Sequence, residues 1–205
     1  SRLEQKALKD YYGRGALPIN YPNRLDVKRG KSGAGIWLHG TPSNQFARPP
    51  QASDGCVVLA NPDLERILRT VEIGTTPVVI AAQLEWVDRG RAMTERKPFE
   101  ARFQAWIEAK VGGSLEQVLT FYASDFDSYG QNLDQWLPLI KEEMAEKRGR
   151  KVDLKDVSYL QWIDGTDTMV VNFSEVVHGR LVGTTKRQYW TRAAGQWKIF
   201  FEATL

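Results

Sequence analysis

Four runs between Val152 and Leu205, VSYLQWI, TMVVNFSEVV, GTTKRQYWTR and QWKIFFEAT, alternate apolar and polar side chains at period two. Turn-forming pairs separate them at Asp164–Gly165, His178–Gly179 and Ala194–Gly195. Period two with short turns describes an antiparallel meander, one face buried and the other wet. The residues before it keep helical spacing instead. Phe99, Phe103, Trp106, Ile107 and Val111 mark one helix face, Gly112–Gly113 breaks it, and Leu115, Val118, Leu119 and Tyr122 mark a second. Asp134–Lys147 supplies a third, with Trp136, Leu137, Ile140 and Met144 on its apolar side. Helices followed by a meander define an α+β domain.

The first half has weaker patterning. Leu3, Ala7, Leu8 and Tyr11 fit a short amphipathic helix over 1–12, which Gly13 and Gly15 would end. Ala16–Gly35, rich in Pro, Asn, Gly and charge, predicts an ordered loop. Ile36–Leu38 can end a buried strand; Asn61 or Asp63 can cap a helix over Pro62–Val71 with Leu64, Ile67 and Leu68 inside; Thr76–Ala82, TPVVIAA, reads as a strand after the turn signal Gly74. Periodicity fades and charge rises over Leu84–Thr94, which sets the expected boundary between domains at 1–90 and 96–205.

Composition narrows the classes. A chain of 205 residues, 42% hydrophobic and 26% charged, is too apolar for disorder and has room for one or two modest cores. Its net charge of +3 comes from 28 cations dispersed among 25 acids, which gives no nucleic-acid signature. No apolar run is long enough to span a bilayer, and no signal peptide is present. Asp125 with Asp127, and Asp164 with Asp167, lack the ligand spacing of a calcium loop and read as turn or cap residues, so neither metal nor cofactor is expected. His178 beside Gly179 falls at a hairpin tip, a solvated position. The aromatics Trp162, Tyr189, Trp190, Trp197 and Phe200 read as core and pocket wall, with an exposed subset open to sugar stacking or a dimer face.

The chemistry concentrates in Ile36–Leu59, which holds the only cysteine and one of two histidines. A lone cysteine excludes an internal disulfide; it is either a reactive thiol or a small buried hydrophobe. An imidazole that takes the thiol proton turns it into a nucleophile, so His39 and Cys56 are the candidate pair. Gly40 lets the chain turn past the imidazole, and Gly55 lets successive backbone N–H groups converge beside the sulfur to hold an oxyanion. A loop with Pro42, Pro49 and Pro50 can fold back to join the two ends.

These motifs, H-G followed by a proline-containing loop and S-x-G-C with an apolar tail, resemble the catalytic motif of bacterial L,D-transpeptidases, the YkuD-type domain. GALPINYPN at 15–23, GIWLHGTP at 35–42 and ASDGCVVL at 52–59 resemble the subgroup that carries an extra C-terminal domain and includes L,D-carboxypeptidases. The resemblance implies attack by Cys56 on the bond between an L-centre and a D-centre in a peptidoglycan tetrapeptide stem, releasing D-alanine. It makes His39 the base, the Gly40 carbonyl the acceptor that orients the imidazole, and Gly55 with Cys56 the oxyanion donors. Ser53, Asp54, Arg48, Asn20 and Tyr21 are the candidate substrate contacts; for Tyr21 loop packing, and for Arg48 simple solvation, are the alternatives. Asp54 and Val58 stand where the family carries a histidine and a polar residue. The resemblance also implies an N-terminal half of the catalytic domain preceding Ser1, so the chain is expected to be a mature or trimmed piece of a periplasmic or cell-envelope protein.

FQAWIEAKVGGSLEQVLTFYASDF and the four strands ending in WKIFFEATL resemble the nuclear-transport-factor-like cone, a curved antiparallel sheet wrapped on helices. The expected fold is therefore mixed: a partial β-rich L,D-transpeptidase domain followed by an α+β cone. Expected partners are peptidoglycan stem peptides and a second copy of the chain through the C-terminal domain. Three functions stand open: a wall-modifying cysteine enzyme, a binding or dimerisation module with a degenerate catalytic domain, and a cone that itself holds a ligand.

Overall fold

The computed structural model describes residues 10–84, 86–164 and 166–205, and the chain divides into two compact units, Ser1–Ile80 and Ala81–Leu205.

In the first unit a three-stranded sheet runs in the order β1 (Ala16–Pro18), β2 (Trp37–His39), β3 (Val57–Val58). β1 lies antiparallel to β2, pairing Ala16 with His39; β3 lies parallel to β2, pairing Leu38 with Val57 and His39 with Val58. A short helix α1 (Arg24–Lys28) sits between β1 and β2, closed by a capping box in which Asn23 and Asp26 exchange hydrogen bonds. After β3 comes α2 (Asn61–Thr70), whose Leu64 is fully buried.

Three expectations change here. Ala16–Gly35 is not loop throughout, since it contains β1 and α1. Of the helix expected over 1–12, residues 1–9 lie outside the described residues, and Asp10–Tyr12 form one 3-10 turn. Thr76–Ala82 forms no strand: β-branched side chains favour extension only when a neighbouring strand takes the backbone groups, and none among the described residues does. Val78, Val79, Ile80, Leu84, Trp86 and Val87 are all exposed, Trp86 to 90%.

The second unit begins with α3 (Arg89–Gly112), capped by Asp88, so the last residues of the expected boundary stretch are already helical. α4 (Leu115–Leu119) and α5 (Leu133–Lys147) follow, each opened by a capping box. The meander is β4 (Val152–Asp164), β5 (Thr166–Val177), β6 (Thr184–Ala193) and β7 (Gln196–Thr204), paired in that order and antiparallel throughout. Register shifts at Lys155/Ser158 and Tyr189/Trp190 bend the sheet. Its concave side receives Phe99, Phe103 and Trp106 of α3 against Phe173, Trp190 and Ile199. Each of these side chains, fully buried, contributes about 1.5–3 kcal/mol. The chain after α4 is tied to β7 by three backbone bonds, Ala123 N–H to Ile199 O (2.8 Å), Ile199 N–H to Phe121 O (2.7 Å) and Asp127 N–H to Phe200 O (3.0 Å). This is an α+β fold with a curved antiparallel sheet. No helix among the described residues is long and apolar enough to cross a membrane.

Inside this core runs a network of charge that sequence reasoning missed. Lys110 of α3, Glu143 and Lys147 of α5, Glu175 of β5, Lys186 of β6 and Glu202 of β7 meet with their charged ends buried or nearly so. Lys110 Nζ reaches Glu143 at 2.6 Å and Glu175 at 3.1 Å; Lys186 Nζ reaches Glu143 at 2.5 Å and Glu202 at 2.7 Å; Lys147 binds Glu175. The Gln188 amide donates to Glu202 at 2.5 Å and accepts from the Trp190 indole at 2.9 Å, linking the charges to the aromatic core.

Candidate active site

His39 ends β2 and Cys56 immediately precedes β3. Because these strands are parallel, with His39 opposite Val58, continuing the register sets Cys56 opposite Trp37, two residues upstream of the histidine and on the same face. The imidazole is buried, 1% exposed, while Cys56 is half-buried.

The His39 ring is held from several sides. Its Nδ1 lies 2.7 Å from the Gly40 carbonyl, so in the neutral ring Nδ1 carries the proton and Nε2 is left with a free lone pair. Tyr12 meets it edge-on at 5.1 Å between centroids and Tyr11 lies at 6.0 Å. Burial pushes the His39 pKa down, the Gly40 bond opposes this, and the Arg48 charge lowers it further. The result is an imidazole that stays neutral at pH 7 and can accept a proton.

Cys56 Sγ donates to the Gly35 carbonyl at 3.8 Å, and no hydrogen bond joins it to His39. Ser53 Oγ donates to the Cys56 carbonyl at 2.6 Å and fixes the turn before the sulfur. Gly55 has φ +110°, and a Cβ there would lie 2.9 Å from Ile36, so this turn admits only glycine. Arg48 donates to the Tyr11 hydroxyl at 3.0 Å and stacks over its ring at 4.3 Å, which makes it part of the wall around His39. Asp54 and Asn20 are exposed; Tyr21 precedes Pro22 through a cis peptide and packs toward Gly33. The structure thus brings His39, Gly40 and Arg48 together and sets Ser53, Gly55 and Cys56 in the turn that leads into β3. Among the described residues no side-chain hydrogen bond or ion pair joins these to Asn20, Tyr21 or Asp54. His178 is solvated at its tip, 3.2 Å from Asp153.

Tyr11, Tyr12, Thr41 and Asn61 are the residues the sequence reading left out. Asn61, expected as a helix cap, is instead the first residue of α2, whose cap position is Ala60. Its amide donates to Thr41 O at 2.9 Å and accepts from Arg14 N–H at 3.0 Å, with no room for a Cβ on Gly40 beside it. Asn61 therefore ties the chain just after Gly40 to the segment at Arg14. Asn61→Ala leaves two backbone groups unpaired, and amide exchange at Arg14 is expected to accelerate about tenfold to a hundredfold, equivalent to roughly 1–3 kcal/mol. Unchanged exchange there would show that the clamp carries no energy.

Residues 2–80, which hold both His39 and Cys56, match the family model of the YkuD L,D-transpeptidase catalytic domain. Residues 99–203 match the Cds6 C-terminal NTF2-like domain, and through this match, which spans half of its length, the chain belongs to that family. Among solved structures, Bd1075 of Bdellovibrio bacteriovorus is 25% identical with a TM-score of 0.78, over 100% of this chain and 73% of that one. The helical cell shape determining protein Pgp2 of Campylobacter jejuni shares the fold, at 22% identity and a TM-score of 0.68, over 98% of this chain and 71% of that one. A comparison with curated proteins found no match.

Proposed function

We propose that this chain carries the nucleophile and base of a peptidoglycan-modifying cysteine L,D-transpeptidase or L,D-carboxypeptidase that acts on tetrapeptide stems. The observation that carries this reading is the parallel pairing of β2 with β3, which puts a buried neutral imidazole and a half-buried thiol on one face. Their offset is about 6.6 Å along the strands and about 4.8 Å across, a gap that side-chain rotation and substrate binding can close. In the reaction the sulfur attacks the carbonyl carbon between the L-centre and the terminal D-residue, and His39 takes the thiol proton. The oxyanion faces the N–H groups of Gly55 and Cys56. Collapse breaks the C–N bond, the imidazolium returns its proton to the leaving amine, and a thioester on Cys56 remains. Water resolves that thioester in a carboxypeptidase, a stem amine in a transpeptidase. Peptidoglycan as substrate puts the protein in the periplasm or cell envelope, with a role in cell-wall biogenesis and cell shape.

The test is incubation of the protein with a defined tetrapeptide muropeptide, with and without an acceptor stem, and mass analysis of the products. Tripeptide alone supports the carboxypeptidase, a cross-linked dimer the transpeptidase, and neither product overturns both.

One observation favours a second reading, a non-catalytic binding or dimerisation module: Sγ is bonded to Gly35 O and not to the imidazole. On that reading the same incubation gives binding without product.

A further inference from the structure

The loop between β5 and β6 exposes two aliphatic side chains almost completely, Leu181 to 98% and Val182 to 81%. Neither contributes to the core of the unit that carries it. Around them stands a basic rim. His178 N–H bonds to the Lys151 carbonyl at 2.8 Å, which sets the loop beside the segment 148–151, where Arg148, Arg150 and Lys151 are all exposed. Arg180 comes from the loop itself. Two carboxylates lie nearby: Glu146, 2.8 Å from Arg180, and Asp153, 3.6 Å from Lys151 and 3.2 Å from His178. Arg148 and Arg150 have no ion pair among the described residues. The corner thus gathers four of the chain's 28 cations against two acids, in a protein whose overall charge is only +3.

We propose that this tip is a docking site for an anionic phospholipid surface, with Leu181 and Val182 entering the boundary of the acyl chains and Arg148, Arg150, Lys151 and Arg180 meeting lipid phosphates. A pair of exposed aliphatic side chains ringed by Arg and Lys has the composition of an interfacial anchor. A protein partner needs about 800 Å² on each side, far more than two side chains offer. A glycan strand is held by aromatic stacking and planar hydrogen-bonding groups, and the loop 178–183 has no aromatic residue other than His178. The apolar pair supplies a hold that salt does not screen, and the rim supplies one that it does.

The experiment is co-sedimentation of the full chain with vesicles of equal parts phosphatidylglycerol and phosphatidylcholine, with phosphatidylcholine vesicles alone, and with isolated peptidoglycan. Binding to the anionic vesicles is expected, weaker in high salt and weaker still on neutral vesicles. Leu181→Asp/Val182→Asp and, separately, Arg148→Glu/Arg150→Glu are each expected to lower it at least tenfold. These positions are exposed, so unchanged thermal unfolding verifies that the variants fold. Absence of vesicle binding, or binding equal in wild type and variants, overturns the proposal. So does attachment to peptidoglycan alone that needs the same residues.

Discussion

Cys56→Ala is expected to abolish release of the terminal D-alanine from a tetrapeptide stem, a fall of about a thousandfold or more in turnover. The chain has no second thiol to substitute for it, and the acyl-enzyme cannot form without the sulfur. Cys56 is half-buried and its one hydrogen bond, to Gly35 O, is long, so thermal unfolding of the variant is expected to stay close to wild type. His39→Ala should give a loss of similar size, and the double variant little more than either alone, because the two groups act as a unit. Burial and Arg48 hold the His39 pKa below its ordinary value, so activity is expected to stay high near neutral pH and to fall only as pH drops through that lowered value. Retention of D-alanine release by Cys56→Ala would remove the cysteine mechanism, whereas absence of release from the unaltered chain would leave the binding-module reading.

Glu175→Ala is expected to destabilise the second unit by about 3–5 kcal/mol, since it leaves the buried Lys110 and Lys147 to share the one remaining carboxylate, Glu143, with Lys186. Acid should expose the same dependence. Desolvation pushes Glu143 upward, but Lys110, Lys186 and Lys147 overcome it and hold its pKa at about 2, below the ordinary 4.5. Glu175 is lowered by the same balance. A carboxylate depressed in the folded state stabilises fully above its unfolded pKa and loses that contribution as pH falls toward the folded value. Stability is therefore expected to decline between about pH 5 and pH 2, with a shallower decline in Glu143→Gln. At the alkaline end the lysines oppose each other. Lys186 is raised, because its three carboxylates outweigh burial, so its contribution is lost as pH rises through the folded value. Lys110 is lowered, chiefly by burial, and works in the other direction. Urea unfolding followed across pH measures all of this, and a flat acid limb would show that the network stores no net energy.

The network also marks where the sequence stops being readable. Lys186, Gln188 and Trp190 alternate along β6 as a polar-outward strand would, yet all three point inward. Only partners on α5 and β7, Glu143 lying 43 positions from Lys186 and Glu202 lying 16, make that tolerable, and no local pattern reports them. The helices and the meander were legible because each carries its own period and its own stop signals at Gly112–Gly113, Gly179 and Gly195. His39 and Cys56 stand out in the sequence because the chain holds so few residues of their kind. Asn61, Tyr11 and Tyr12 were not, since a clamp on a backbone carbonyl and a ring packed on an imidazole leave no spacing rule behind. Thr76–Ala82 shows the converse failure, in which a strong local preference for strand goes unanswered by any partner among the described residues.

Trp86 offers an unplanned benefit to the experimenter. Of the seven indoles, Trp106 and Trp190 are sealed in the core, whereas Trp86, in the stretch of chain between Ile80 and α3, is 90% exposed. Its emission is expected at the red edge and open to iodide, while the sealed rings are expected to emit blue and resist the quencher. Quenching experiments can thus watch the stretch around Trp86 by intrinsic fluorescence, without attaching a dye.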